Sequence, residues 1–374
     1  MRSMRRGTRL GVVVAVALAL ACANAVAVFK AGAVPRYSAR YEQKCGLCHL
    51  NPTGGGMRTA YASQKLVPEE IAWSKAKPEI LAGIEPRISK HVLIGTDFRE
   101  LYLGSDAPLP QRDFFQMQGD VYLDFELDPK VSLYFARSAT DTREVFGLDY
   151  LTPQLYVKAG RFVPSYGWKF DDHTMFVRSE TGFMPPGNSD VGVELGAFPG
   201  RFDVQLGVVN GARGSILDND TRVATALNAG YRFHLGSLGL YAGVSGYDDP
   251  SKLQGFDEGG GHAYVTFRNL TWIGQADLLR RDPQGGPVTR GFVTSHELTL
   301  GLHQGLDLKG TYDFYDPDKQ HATGAKTRWG GGLFVMPQSY LALEFLERRT
   351  TFEDGIAYSG DDFYESVFQL HLLY

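Results

Sequence analysis

The chain has 374 residues, 38 basic and 42 acidic side chains, a formal charge of −4 and three cysteines. That acidic balance, with no basic patch to offset it, argues against nucleic acid as a partner. Its 44 glycines, 19 tyrosines and 23 phenylalanines suit an exported β-protein, and length alone allows two domains.

The first residues read as a secretory signal peptide over 1–25. Arg2, Arg5, Arg6 and Arg9 form a basic head, and 10–22 (LGVVVAVALALAC) is an apolar run too short to span a membrane. Small-residue cleavage sites end at Ala25, Ala27 and as late as Ala33. A lipoprotein anchor at Cys22 is the alternative, although Ala19-Leu20-Ala21 matches the usual lipobox poorly. Cleavage after Ala25 takes four arginines and no acids with it, so the charge falls from −4 to about −8.

Only Cys45 and Cys48 then remain, inside KCGLCHLNPTGGGMR (44–58). The order C-x-x-C-H attaches c-type haem: both sulfurs add to vinyl groups and the histidine ligates iron. A disulfide between the two cysteines is the plain alternative in an exported chain. Zinc would need two more soft ligands, and no second C-x-x-C exists. The run Asn51–Gly56 is either a flexible turn or a place where backbone without Cβ comes close to a haem. It lacks the Lys-Ser/Thr of a phosphate loop.

Residues 34–88 form a short haem-bearing segment, with one helix over 68–84 interrupted at Pro78. From 89 to 374 the pattern has period two. In 113–127 Phe115, Met117, Val121, Leu123 and Phe125 alternate with Gln116, Gln118, Asp120, Asp124 and Glu126, which sorts onto two faces of a strand. A sandwich could not bury the charges of the polar face, which include Asp97, Arg99, Glu194, Arg232, Arg268, Lys309 and Arg328. Tight turns at 128–130, 198–201, 234–238, 268–271, 304–306 and 336–338 alternate with long connections at 211–221, 248–260, 282–290, 316–325 and 351–360. That asymmetry predicts an all-β outer-membrane barrel with the long loops outside the cell. Phe125, Phe202, Phe233 and Trp272 would form an aromatic girdle near the tight turns. The C-terminus, with Phe368, Leu370, Leu372 and Tyr374 on one face, would be the barrel's assembly signal. Counting strands gives sixteen, including 149–162 as one strand and 166–178 (YGWKFDDHTMFVR) as another.

VPRYSARYEQKCGLCHLNPTGGGMR followed by a barrel resembles the monohaem cytochrome–porin fusions of the bacterial outer membrane, some of which are associated with iron oxidation. LYVKAGRFVPSYG (155–167) is also similar to phosphate-selective and related porins. The first resemblance implies one haem c, with Cys45 and Cys48 as thioether positions and His49 as the proximal iron ligand. It further implies electron transfer rather than hydrolase or transferase chemistry: uptake or delivery of electrons at the cell surface. The resemblance names no donor or acceptor; the partners expected of an electron-transfer barrel are a periplasmic carrier such as a soluble cytochrome, an extracellular metal ion or redox partner, and outer-membrane lipid.

So short a segment cannot enclose a haem, so the barrel lumen is the expected wall. Distal-ligand candidates near the periplasmic end are His91, His371, His303 and His234, with His91 preferred because it stands at the first strand's entrance. His262 faces the lumen higher up and His173 lies on the 166–178 strand. Met57, Met175 and Met184 are the sulfur alternatives; Met ligation would raise the potential relative to His. Acidic clusters at 247–250, 257–261, 316–318 and 353–362 would lie on the outer loops, as a solvated surface or as attraction for cations. The rival function is a solute porin in which the haem segment is a plug or sensor. Its anion-selective form is disfavoured because lumen Arg232, Arg268, Lys309 and Arg328 are matched by Asp120, Asp124, Glu194, Asp203, Asp307 and Asp313. A haem peroxidase would need an open sixth position.

Overall fold

The computed structural model describes residues 35–373 except 75–82, 84, 108–110, 139–141, 183–188, 213–217, 219, 252–253, 322–323 and 354–361. The signal peptide, Met184, Tyr374 and most of 353–362 therefore lie outside the described residues.

Sixteen antiparallel strands close on themselves. The first five are β1 (Val92–Ser105), β2 (Gln111–Glu126), β3 (Val131–Ser138), β4 (Thr142–Thr152) and β5 (Leu155–Phe162). After a long excursion follow β6 (Asp190–Ala197), β7 (Phe202–Val209), β8 (Ala224–Leu235), β9 (Leu238–Asp249) and β10 (Gln254–Phe267). The last six are β11 (Leu270–Pro283), β12 (Thr289–His303), β13 (Leu306–Asp316), β14 (Lys326–Gln338), β15 (Leu341–Phe352) and β16 (Phe363–Leu373). Each strand pairs with the next, and β16 returns to β1 with His371 opposite Arg99. A three-residue lead-in, Arg87–Ser89, pairs with β1. Closure leaves no edge, so every strand finds its backbone partners inside the sheet.

Side chains alternate as the sequence implies. Leu93, Asp97, Arg99 and Leu101 of β1 are buried on the inner face, while Val121, Val193, Val244 and Leu278 are about half exposed on the outer one. Phe125 meets Phe135 edge-on at 5.8 Å, and Trp272 stacks on His296 at 5.7 Å. Arg268 is a correction: it sits exposed in the 268–269 turn at φ 54°, over the Phe267 ring, and does not line the lumen.

The strand count agrees with expectation, but two strands do not. Residues 149–162 belong to a hairpin of β4 and β5 turning at 153–154, so a strand starting at 142 went unread. Residues 166–178 are not a strand. After Phe162 the chain leaves the wall and crosses the lumen, ending in a short helix α1 (Phe176–Ser179). Its backbone is satisfied by the wall's side chains: Gly167 N–H donates to Ser245 Oγ (2.9 Å), Trp168 N–H to Gln275 Oε1 (2.7 Å) and Phe176 N–H to Asp313 Oδ1 (3.0 Å).

Two connections opposite the tight turns are shorter than the sequence implied, those read as 248–260 and 282–290. Strands run to Asp249 and from Gln254, and to Pro283 and from Thr289. Asp257 and Glu258 therefore lie in β10, where Asp257 pairs with Arg280 at 2.8 Å. The helix expected at 68–84 begins earlier: a wide helical segment spans Ala62–Ile71 with Pro68 inside it, and Ala72 is already extended.

Candidate functional site

The motif segment is fastened across the tight-turn end of the barrel. Glu42 pairs with His234, and Lys44 Nζ donates to the carbonyls of Phe198 (2.8 Å) and Gly200 (2.9 Å). Arg58 donates to the Ser339 carbonyl at 2.9 Å, and Gln304 Nε2 to that of Ala72 at 2.7 Å. All of these barrel residues lie in or beside tight turns. Deeper inside, Asn51 Nδ2 reaches both oxygens of Glu144 at 3.3 Å, and Lys169 Nζ donates to the Gly54 carbonyl at 2.9 Å.

Within this segment Cys45–Leu47 makes one tight helical turn, and His49 N–H closes back on the Cys45 carbonyl at 3.0 Å. That turn carries Cys45, Cys48 and His49 to one cavity, which they line. Both thiols are free. Burial raises both pKa values, that of Cys48 to about 12, so neither is a thiolate at neutral pH. His49 Nδ1 is 3.2 Å from the Gly56 carbonyl and so carries the proton. Burial, with Arg58 adding to it, lowers the His49 pKa to about 4. The ring is neutral with its Nε2 lone pair uncommitted, the state in which histidine binds a metal.

The glycine run serves this geometry. Gly54, Gly55 and Gly56 have φ of 84°, 79° and 68°, a region that side chains disfavour. A Cβ on Gly54 would stand 3.3 Å from Cys45 Sγ, and one on Gly56 only 2.2 Å from Tyr134 Oη. The close approach is thus to Cys45 and to the wall.

The cavity holds about 220 Å³. Trp168, Phe170, Ile71 and Phe334 supply apolar lining; Arg58, Lys169 and Arg178 supply charge. Among the described residues those three cations make no ion pair, and Arg178 Nε is buried with no hydrogen-bond partner. Elsewhere in the lumen cations are matched. Lys158 meets Glu194 at 2.8 Å, Lys309 meets Glu344 at 2.8 Å, Arg328 meets Asp313 at 2.8 Å, and Arg232 meets Asp203. Haem is a flat apolar ring with two carboxylates, so apolar walls, unpaired cations, two thiols and a free imidazole fit it. Among the described residues no three His, Cys, Asp or Glu side chains converge on a bare metal ion.

The expected distal ligands are scattered. His91 is exposed in the turn before β1, with Nδ1 2.9 Å from the Glu126 carbonyl. His234 is held by Glu42, and His303 lies 5.2 Å from the Trp73 ring at the rim. None of these three lines the cavity, nor does His262, which packs edge-on against Trp168 at 5.0 Å. Met57 is buried behind the cavity with its N–H on Tyr134 Oη (3.1 Å), and Met175 is buried outside it. His371 does line the cavity, with Nε2 on Asp97 Oδ1 at 2.8 Å. So does His173, on the 166–178 stretch that the alternation assigns to the wall. No spacing in the sequence pointed to Lys169 or Arg178, because both lie on the in-folded stretch.

No known protein family matches the sequence, and no curated protein matches it significantly. Solved structures do match. The outer-membrane-expressed OmpT of Vibrio cholerae aligns at TM-score 0.56 and 12% identity, over 78% of this chain and 100% of that one. The anion-selective porin of Comamonas acidovorans gives 0.56 and 11%, over 76% and 99%. Pseudomonas putida OprB gives 0.56 and 10%, over 82% and 99%. At such identities the likeness is one of fold. The class is clear: a porin-like barrel. With sixteen closed strands and an apolar outer face, it is a protein of the bacterial outer membrane.

Proposed function

We propose that this protein carries one covalently attached haem inside its barrel and transfers electrons between the cell exterior and the periplasm. The observation that carries this reading is the meeting of Cys45, Cys48 and a neutral His49 at one cavity enclosed by the barrel. Cys45 and Cys48 would hold the haem through thioethers, and His49 Nε2 would take the iron. When bound, such a group supplies a one-electron Fe(III)/Fe(II) couple. The chain's own residues do the rest. The tethers at 198–201 and 339 fix the segment, Gly56 orients His49, and Arg58, Lys169 and Arg178 offer charge to the propionates. This reading agrees with the resemblance of 34–58 to the cytochrome–porin fusions. With the segment and tight turns on the periplasmic side, a soluble periplasmic cytochrome would be one partner and an extracellular metal ion, ferrous iron included, the other.

The test is direct. Protein made with the c-type maturation machinery should stain for haem after denaturation, and Cys45→Ala with Cys48→Ala should abolish the stain. Absence of stain in the parent protein refutes the reading. The rival, a solute porin plugged by this segment, draws on the fold shared with the Comamonas anion-selective porin. Against it stand the matched charges of a lumen crossed by two chain segments. Large steady conductance in planar bilayers would favour it.

A further inference from the structure

We propose that His173, on the stretch that leaves the wall after β5, is the sixth ligand of the haem iron. This rests on the haem reading above. Among described histidines only His49, His173 and His371 line the cavity. They differ in what else they do. His371 Nε2 is committed to Asp97 at 2.8 Å, and Asp97 also holds Arg99 at 3.3 Å. Ligation through that nitrogen would break a buried ion-pair network, which is costly. Among the described residues His173 has no hydrogen-bond partner at either ring nitrogen, so its lone pair is free without loss elsewhere.

His173 is also held in place. Asp171 before it lies 3.2 Å from Arg99 and 3.5 Å from Arg36; Asp172 lies 3.4 Å from Arg348. After it, the Thr174 carbonyl accepts from Arg328 at 2.7 Å and Thr174 Oγ1 from Arg348 at 2.6 Å. Asp172 Oδ1 further accepts the Thr174 N–H at 2.8 Å, closing a tight turn around the histidine. Three wall strands (β1, β14 and β15) and Arg36 of the motif segment thereby fix the backbone on both sides of one unbonded imidazole, as a preorganised ligand requires. The competing sulfur is Met336, which also lines the cavity.

Two histidine ligands leave no open iron position, which suits electron transfer and disfavours peroxidase chemistry. They also set a lower potential than methionine would. The further consequence is mechanical: the in-folded stretch and the motif segment would be joined through iron.

The test uses the full-length holoprotein in detergent. Wild type should give a low-spin, six-coordinate optical and EPR spectrum that resists added carbon monoxide. His173→Gly should keep its covalent haem stain, become high-spin, bind carbon monoxide, and recover the low-spin spectrum with millimolar imidazole. His371→Ala and Met336→Leu should stay low-spin. A His173→Gly spectrum unchanged from wild type, or a high-spin Met336→Leu or His371→Ala protein, overturns the proposal while the haem stain keeps the function intact. A parent protein without stain overturns both. If His173→Gly loses its heat-modifiable gel mobility, His173→Met decides instead: a sulfur-ligated spectrum and raised potential support the assignment, and an unchanged histidine-ligated spectrum refutes it.

Discussion

Along β11, Thr271, Ile273, Gln275 and Asp277 are buried on the inner face while Leu270 and Leu278 are exposed outside; along 166–177 no such division exists. Tyr166, Trp168, Phe170, Phe176 and Val177 are all buried, on every side. The wall obtains its hydrogen bonds from neighbouring strands. The crossing stretch obtains them from wall side chains, as with Val177 N–H on Ser295 Oγ (3.1 Å) and Tyr166 Oη on Asp277 Oδ1 (2.9 Å). The polar inner face is therefore largely a set of partners for a second structure, and only in part the lining of a channel. In an open pore those groups would meet water instead.

Breaking the inner side should cost most. Lys158 and Glu194 are fully buried 2.8 Å apart, and Lys158 lies 4.4 Å from the Phe162 ring centroid. Lys158→Met leaves an uncompensated carboxylate, for a loss of about 3–5 kcal/mol. Reversible urea unfolding into liposomes should show that loss, and adding Glu194→Leu should recover most of it. A single variant as stable as the parent would mean the pair is solvated. The outer side should cost somewhat less. Val244 stands mid-strand on the lipid face, 58% exposed. Val244→Arg should destabilise by about 2–4 kcal/mol near the bilayer centre, and by little if that face lines water.

The wall was legible because alternation is local, and its failures are instructive. Glu144, Phe146 and Leu148 of β4 point inward, as do Tyr156 and Lys158 of β5. All are even-numbered, because a bulge between Tyr150 and Thr152 restores the parity that the two-residue turn alone would switch. The period-two pattern therefore ran straight through the hairpin and concealed it. Tyr166, Trp168 and Phe170 imitated a strand with the same spacing, so one missed strand and one false one left the total at sixteen. The C-x-x-C-H chemistry was readable without any fold. The cavity around it was not, because Arg58, Lys169, Arg178 and His173 meet there only through contacts distant in sequence. Depth along a strand put His91 and His303 near the right level, but level does not fix whether an imidazole faces the cavity or the rim.

The smallest expected effect tests the joint between the two regions. Gly56 has φ 68°, and its Cβ would lie 2.2 Å from Tyr134 Oη, which in turn accepts the Met57 N–H at 3.1 Å. Gly56→Ala should therefore push the segment off the wall at that point, at about 1–3 kcal/mol of local strain. The same residue's carbonyl orients His49. Urea unfolding of the barrel should hardly change, because β3 keeps its ladder with β2 and β4. Protease cleavage within 50–60 should rise several-fold, and the absorption of the holoprotein should shift. Tyr134→Phe alone removes one hydrogen bond, for about 1 kcal/mol. Combined with Gly56→Ala it removes the clashing oxygen, so the double variant should be less cleavable than Gly56→Ala. Additive damage in the double variant would show that the strain lies in the positive φ alone, and that Tyr134 is not where the segment bears on the wall.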